Sequence, residues 1–150
     1  MAFGFLKRVA KGAAREVSAE YSKNKDFLEA CCAGAALIAS ADGTISDVEK
    51  RQAVSVVTRN PTLGKLYQHN EIEQCMATML DRAGSASGRQ SLVREIGEIK
   101  SSPNAPQMAE DVYLIAADVA SADGEIGEKE KRALEKLAAI IGVDPNKFEF

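Results

Sequence analysis

Two copies of one acidic loop contain the residues of this sequence best suited to bind a ligand. The string Ala-Ser-Ala-Asp-Gly occurs at 39–43 and again at 120–124. Aligning 38–51 with 119–132 gives nine identities in fourteen positions, which chance does not supply. The two copies share three carboxylates at matching positions, and hard cations such as Ca²⁺ or Mg²⁺ are the natural partners of that many oxygens. The repeat therefore predicts a divalent-metal site built across both copies from Asp42, Asp47, Glu49, Asp123, Glu128 and Glu130.

Helical periodicity predicts the direction of two of these acids, Glu49 and Glu130. Each lies in the first turn of the helix after its loop, in line with the apolar residues four and seven positions further on. We therefore expect both side chains to point towards the domain. A carboxylate in that position costs several kcal/mol to desolvate unless a cation or hydrogen-bond donors meet it. This phase favours a bound ion.

Helix capping is an alternative interpretation of the same glutamates. Ser46 and Glu49 have the spacing of a capping box, and acidic residues in a first helical turn also suit the helix dipole. In the second copy Gly127 replaces the serine, which removes half of the box while Glu130 remains. The aspartates that precede the loop glycines have no role in such a cap. Capping alone and metal binding therefore both stay open.

An EF-hand explains only part of the loop pattern. When the twelve-residue motif is placed on 38–49, its glycine and its final glutamate fit. Its first ligand, normally aspartate, falls on Ile38 in one copy and on Val119 in the other. Two losses of the first ligand exclude an ordinary EF-hand.

The sequence contains no other recognisable site for chemistry. The one histidine, His69, lies in a polar stretch and is expected to be exposed, and there is no phosphate-binding loop or nucleophile elbow. We therefore predict no enzymatic activity and no small-molecule substrate. Cys31, Cys32 and Cys75 are an odd number without framework spacing, so we expect the adjacent pair to be buried free thiols in a reducing compartment.

These acids must be positioned by helices, because no stretch of the chain alternates as a strand does. Hydrophobic residues make up 45% of the chain and aromatic residues 5%, which favours closely packed helices around one aliphatic core within a single domain, 1–150. We predict an all-α fold of about seven helices in a compact bundle. It contains two pseudo-symmetric helix–loop–helix hairpins, at about 26–59 and 106–142. The predicted helices are about 3–21, 26–41, from Asp47 to before Asn60, Glu71–Arg82, Ser87–Lys100, 106–122 and 128–141, with a final turn after Asp144.

The first 22 residues are predicted to form a basic amphipathic helix. Its apolar side chains alternate with lysines and arginines, as in segments that lie on an acidic membrane surface or on a membrane partner. Packing on the domain with a solvated basic face is the alternative. The net charge of -3 argues against nucleic acid as a partner. No apolar run reaches the ~18 residues of a membrane span, and no secretory signal is recognisable. We expect a cytoplasmic protein, at the inner face of the membrane if the amphipathic helix binds there.

The two loops, A-S-A-D-G-T-I-S-D-V-E-K and A-S-A-D-G-E-I-G-E-K-E-K, resemble those of the tellurite-resistance protein TerB and TerB-like domains. The resemblance includes K-N-K-D-F at 23–27 and I-G-V-D-P-N-K-F at 141–148. It implies an all-helical cytoplasmic protein associated with stress and tellurite resistance, which binds metal through its acidic residues and works with the integral membrane protein TerC. The family's motif acids correspond to Asp42, Glu49, Asp123 and Glu130, with Asp47 and Glu128 as adjacent candidates.

Two functional hypotheses follow. The first is a non-enzymatic metal-binding module that acts with a membrane-associated protein partner. The second is a structural adaptor whose acidic loops only cap helices and whose surface recruits a protein. Neither hypothesis includes catalysis.

Overall fold

Seven α-helices and two 3₁₀ helices make up most of residues 25–122 and 124–148, the part of the chain that the computed structural model describes. No β-strand occurs within these ranges, and the predicted all-α class is confirmed. The helix predicted at about 3–21 lies outside the described residues. The helices are α1 (Lys25–Ala39), α2 (Asp47–Thr58), α3 (Pro61–Leu66), α4 (His69–Arg82), α5 (Ala86–Gly97), α6 (Ala105–Ala120) and α7 (Glu128–Ile141), with 3₁₀ helices at Glu98–Ser101 and Pro145–Phe148.

The short helix α3 was not predicted. Asn60 is its N-cap, and Asn60 Oδ1 accepts hydrogen bonds from the backbone N–H groups of Thr62, at 3.0 Å, and Leu63, at 3.1 Å. Pro61 occupies the first helical position, where its missing N–H is not needed. The Asn-Pro pair, which correctly ended the preceding helix, was therefore also the signal for a new one.

Helix α1 lies at the centre of the bundle and packs mainly against α4, α5 and α6. Its buried residues face all sides of the helix, as expected for an element that other helices surround. Gly34 allows close approach, because a Cβ there would lie 3.3 Å from Val112 Cγ1 and 3.6 Å from Leu137 Cδ2. Cys31 and Cys32 are buried free thiols in this core, as predicted.

The two hairpins have the same backbone structure. Each first helix ends in a turn that closes on a glycine with positive φ, 97° at Gly43 and 102° at Gly124. Only glycine adopts this conformation without strain. Backbone hydrogen bonds recur at equivalent positions of the two hairpins. At the end of the first helix, Ser40 N donates to Ala36 O and Ser121 N to Ala117 O, both at 3.0 Å, and in the turn Gly43 N donates to Ser40 O and Gly124 N to Ser121 O, both at 3.0 Å. At the start of the second helix, Lys50 N donates to Ser46 O and Lys131 N to Gly127 O, both at 2.9 Å. The sequence repeat is thus a structural repeat.

None of the described helices is both long enough and apolar enough to cross a membrane.

Candidate functional site

The two hairpins meet at a small cleft lined by acids from both of them. Asp42 and Glu49 come from the first hairpin and Glu130 from the second. The cleft has a volume of about 60 Å³, and its other lining residues are mostly apolar. Three of the six predicted ligands therefore line one cavity, although they are far apart in sequence. The remaining lining residues are Ala39, Gln52, Ala53, Val119 and Ala122.

The two glutamates are less buried than their helical phase suggested. Glu49 is exposed and Glu130 is half-buried. Each lies at the third position of its helix, where the side chain turns back along the helix end instead of following the apolar stripe into the core. Glu49 therefore lines the cleft between the hairpins but is not buried there. Since neither carboxylate is fully desolvated, burial alone does not require a cation here.

Both glutamates cap their own helices. Ser46 N donates to Glu49 Oε1 at 3.1 Å, and Glu49 N donates to Ser46 Oγ at 3.1 Å, which completes the capping box. In the second hairpin Gly127 N donates to Glu130 Oε1 at 3.3 Å, so the half of the box that needs no side chain at the cap still forms. Capping therefore occurs in both copies. It holds one oxygen of each carboxylate and fixes the side chain at the edge of the cleft.

The other three predicted ligands have different positions. Asp47 and Glu128 are exposed first-turn residues and do not line the cleft. Asp123 lies outside the described residues. Within 25–122 and 124–148, no three Asp, Glu, His or Cys side chains converge closely enough to hold a metal ion. The donor set of the cleft suits a hard cation, but a coordination shell would need the carboxylates to move together.

A second group of carboxylates lies between α1 and α5 and was not predicted. Burial raises the pKa of Glu29 to about 7, with further contributions from a hydrogen bond to Glu95 and from the charges of Glu95, Asp26 and Glu98. Arg82 Nη1 donates to Glu95 Oε1 at 3.1 Å and neutralises part of this charge. The four acids lie on α1, on α5 and at the start of the 3₁₀ helix that follows α5, so periodicity within any one helix could not have revealed them.

Asp111 on α6 is the most unusual ionisable group of the fold, and sequence reasoning missed it. The residue is 1% exposed, and within the described residues neither carboxylate oxygen has a hydrogen-bond partner. Burial, and to a lesser extent the charge of Glu110, raises the pKa of Asp111 to about 7. The spacing of Asp111 in the sequence could have revealed its burial. It follows Met108 by three residues and precedes Ile115 by four, which places it on the buried side of α6.

A large open groove of about 700 Å³ lies between α2 and α4. Its α2 side carries Arg51, Ser55 and Arg59, four residues apart and therefore on one face of the helix. Its α4 side carries Glu73, Ala77 and Asp81 with the same spacing, and the single histidine lies at its end. His69 has a side chain that is 69% exposed, as predicted. The floor is partly apolar, and the remaining lining residues are Lys50, Val54, Thr58 and Leu80.

Comparison with protein-family models matches residues 28–150 to the family described as tellurite resistance protein TerB. The matched range includes nearly all of the first hairpin, the whole of the second, and the residues that line the cleft. Searches of curated proteins and of solved structures found no match.

Proposed function

The chain belongs to the tellurite resistance protein TerB family, and we propose that it is a non-enzymatic module that binds a divalent cation and acts with a membrane-associated protein. The cation, Ca²⁺ or Mg²⁺, would bind in the acidic cleft between the hairpins. This activity would serve tellurite resistance and the stress response. The basic segment 1–22 would contribute to contact with the membrane or with the partner.

The observation that supports cation binding is the convergence of Asp42, Glu49 and Glu130 on one cleft. The sequence repeat adds a second aspartate, Asp123, which is aligned with Asp42. Because the cap of the first hairpin holds Oε1 of Glu49, Oε2 of Glu49 is the oxygen that would bind the ion. Asp47 and Glu128 would add negative charge nearby without direct ligation. A bound ion would thus join the two hairpins through carboxylates that the helix ends already orient.

Changing both cleft glutamates to glutamine tests this proposal. The double variant Glu49→Gln/Glu130→Gln keeps an oxygen for each cap, since glutamine also serves at this position of a capping box. It removes two ligand charges. We expect wild type to bind Ca²⁺ or Mg²⁺ saturably, tighter than about 1 mM. Each carboxylate that is lost should weaken cation binding at least tenfold, which corresponds to about 1.4 kcal/mol of binding free energy. Isothermal titration calorimetry measures the cation affinity of wild type and of the double variant.

Glu71→Gln is the matched control for the calorimetry. Glu71 caps α4 in the same way, accepting a hydrogen bond from Gln68 N at 3.1 Å, but it does not line the cleft. Its substitution should leave cation affinity unchanged. If the double variant binds the cation as strongly as wild type does, the glutamates only cap their helices. The same conclusion follows if wild type shows no saturable binding.

The groove between α2 and α4 supports a protein-interaction role, which is also the second candidate function. Its two rims have opposite charge. Arg51 and Arg59 are eight residues apart on one rim, about 12 Å along a helix, and Glu73 and Asp81 have the same separation on the other. Among the described residues neither arginine forms a salt bridge with a carboxylate. A partner helix with an apolar stripe between an acidic and a basic edge would match this pattern in one orientation only.

Charge reversal of the basic rim tests the partner site. Arg51→Glu/Arg59→Glu should weaken binding of a detergent-solubilised TerC-like membrane protein about tenfold or more, because two attractive contacts become repulsive. Arg94→Glu/Lys100→Glu changes the net charge equally at exposed positions outside the groove and should have little effect. Biolayer interferometry measures all three proteins. Equal losses in both variants would indicate a general electrostatic effect and reject the groove as the docking site.

A further inference from the structure

The two charged rims of the α2–α4 groove do not neutralise each other. Arg51 and Arg59 on α2 are eight residues apart, and so are Glu73 and Asp81 on α4. Within the described residues no salt bridge joins one rim to the other. Arg59 Nε donates to Ser55 O at 3.2 Å, which holds the guanidinium beside a residue that lines the groove. Both rows of charge are therefore available to a partner that carries the opposite rows.

The separation of the two charge signs distinguishes this groove from an ordinary solvated surface, where both signs are usually interspersed. The acids of α2, Asp47 and Glu49, belong to its first turn and do not line the groove. The arginine of α4, Arg82, pairs with Glu95 on α5 at 3.1 Å. Apart from His69 at its end, each helix thus presents charges of a single sign to the groove.

The hairpin fold does not require the basic row. The second hairpin has the same backbone structure, and its residues aligned with Arg51 and Arg59 are Arg132 and Ile140. Since an isoleucine is accommodated at the position of Arg59, a cation is not needed there to form the hairpin. The complete basic row belongs to the copy that packs beside α4.

Helix α2 forms a ridge along the groove. Of its twelve residues only Ala53 and Val57 are buried, so most of the helix stands out from the bundle. Between the rims, half-buried Val54 and exposed Ala77 offer apolar contact. The surface therefore consists of a basic edge, an apolar strip and an acidic edge, in that order.

We propose that the α2–α4 groove is an interface between two copies of this chain. In a two-fold symmetric dimer both copies use the same surface, so that surface must be its own complement. A half-turn about an axis perpendicular to the groove places the basic row of each copy against the acidic row of the other. Because both rows extend about 12 Å along their helices, the two arginines meet the two carboxylates without a change of register. The ridge of each α2 lies in the partner's groove.

This inference rests on the groove being a docking surface, as in the proposed function, and it does not depend on cation binding. The dimer covers the groove. Self-association and binding of the membrane-associated partner therefore exclude each other.

The size of the groove predicts a weak dimer. Eleven described residues line it, whereas each side of a stable interface usually contributes about 20–30 residues. We expect a dissociation constant on the order of 100 µM at low salt. The exposed rim charges should make it salt-dependent, with dimerisation at least about tenfold weaker when the salt concentration rises from about 50 to about 500 mM.

Sedimentation equilibrium of the full chain tests the dimer. Wild type should dimerise at low salt. Arg51→Glu/Arg59→Glu and Glu73→Lys/Asp81→Lys should each stay monomeric, because each variant has two rims of the same sign. An equimolar mixture of the two variants should form a heterodimer about as readily as wild type forms its dimer, since every rim again meets its opposite.

Arg94→Glu/Lys100→Glu provides the matched control. It changes the formal charge as much as Arg51→Glu/Arg59→Glu does, at exposed positions outside the groove, and alone it should dimerise as wild type does. Fluorescence-detected sedimentation then follows labelled Glu73→Lys/Asp81→Lys in each mixture. The labelled chain should form dimers with Arg51→Glu/Arg59→Glu at least tenfold more readily than with the control, where one rim contact is attractive and the other repulsive.

Three outcomes would each overturn the proposal: a wild type that is monomeric at about 1 mM in low salt, dimerisation of either groove variant alone, or equal pairing of the labelled chain with both acidic variants. Circular dichroism verifies that every variant is folded, as expected for changes at exposed positions. Binding of the membrane protein to the groove is measured separately by interferometry, so a failure of the dimer is distinguishable from a failure of the proposed function.

Discussion

Gly88→Ala is expected to destabilise the fold more than other single-methyl additions to its glycines. Gly88 lies in the first turn of α5, directly against the end of α4. A Cβ atom there would lie 1.8 Å from the carbonyl oxygen of Arg82 and 2.7 Å from its carbonyl carbon. Both are backbone atoms, so no side-chain rotation can relieve the overlap. The turn between α4 and α5 would have to open, at a cost of about 3 kcal/mol or more.

Opening this turn would also break the hydrogen bonds that fix it. Ser85 Oγ accepts from Gly88 N at 3.0 Å and caps α5, and Arg89 Nη1 donates to Ala83 O at 3.0 Å across the turn. Intrinsic helix propensity acts in the opposite direction, since alanine is favoured over glycine inside a helix by up to about 1 kcal/mol. The steric term is larger, so the net effect is destabilising.

Urea denaturation of Gly88→Ala and of a matched variant, Gly97→Ala, measures this effect. Gly97 ends the same helix in a right-handed helical conformation, and a Cβ there would meet no atom within 4 Å. Gly97→Ala should be neutral or up to about 1 kcal/mol more stable than wild type, because alanine restricts the unfolded chain. A Gly88→Ala protein as stable as Gly97→Ala would contradict the close packing of α4 against α5.

Gly88 also illustrates how far the sequence alone could predict the fold. The run at 83–88 correctly indicated a break between two helices, because glycine and serine disfavour helix interiors. It could not indicate that the second glycine packs directly against the backbone of the preceding helix, because that contact depends on how α5 follows α4. The helical repeat and the two hairpins were predictable for a different reason: they depend on periodicity and on an internal duplication, which are local properties of the chain.

The candidate site was predictable only in part. The duplicated acids were recognisable, and three of them line one cleft. The exposure of Glu49 was not predictable, because a residue at the third position of a helix returns to its own N-cap. That local hydrogen bond competes with the direction of the apolar stripe. The effect of Glu95 on the pKa of Glu29 depends on how α1 packs against α5. Tertiary contacts of that kind have no signature within either helix.

Asp111→Asn is expected to stabilise the protein at alkaline pH, and this is the second large effect. In the native fold the Asp111 carboxyl is buried without a hydrogen-bond partner within the described residues, and its pKa is raised to about 7, mainly by burial. The charge of Glu110, its neighbour on α6, adds to the effect of burial, and Asp111 in turn raises the pKa of Cys31 on the packed helix α1. No described cation offsets its charge. Ionisation inside the fold is therefore unfavourable.

The direction of the pH dependence follows from the two protonation equilibria. In the unfolded chain an aspartate has a pKa near 3.9. Between that value and about 7 the native protein binds a proton that the unfolded chain has released, so the free energy of unfolding falls as the pH rises through this window. The contribution of Asp111 is fully present below pH ~4 and is lost above pH ~7. At 1.36 kcal/mol per pKa unit, the loss between pH 5 and 8 is about 3 kcal/mol.

Asparagine has nearly the shape of aspartic acid but does not ionise, so the free energy of unfolding of the variant does not fall with pH at this position. The measured quantity is the difference in unfolding free energy between Asp111→Asn and wild type, obtained by urea denaturation at several pH values. It should grow in favour of the variant by about 3 kcal/mol from pH 5 to pH 8. Glu29 also titrates near pH 7, but it is present in both proteins and its contribution cancels in the difference.

A difference that stays constant with pH would mean that Asp111 ionises in the native state as easily as in the unfolded chain. Such a result would require water or a cation beside the carboxylate, in place of the dry contact between α6 and α1.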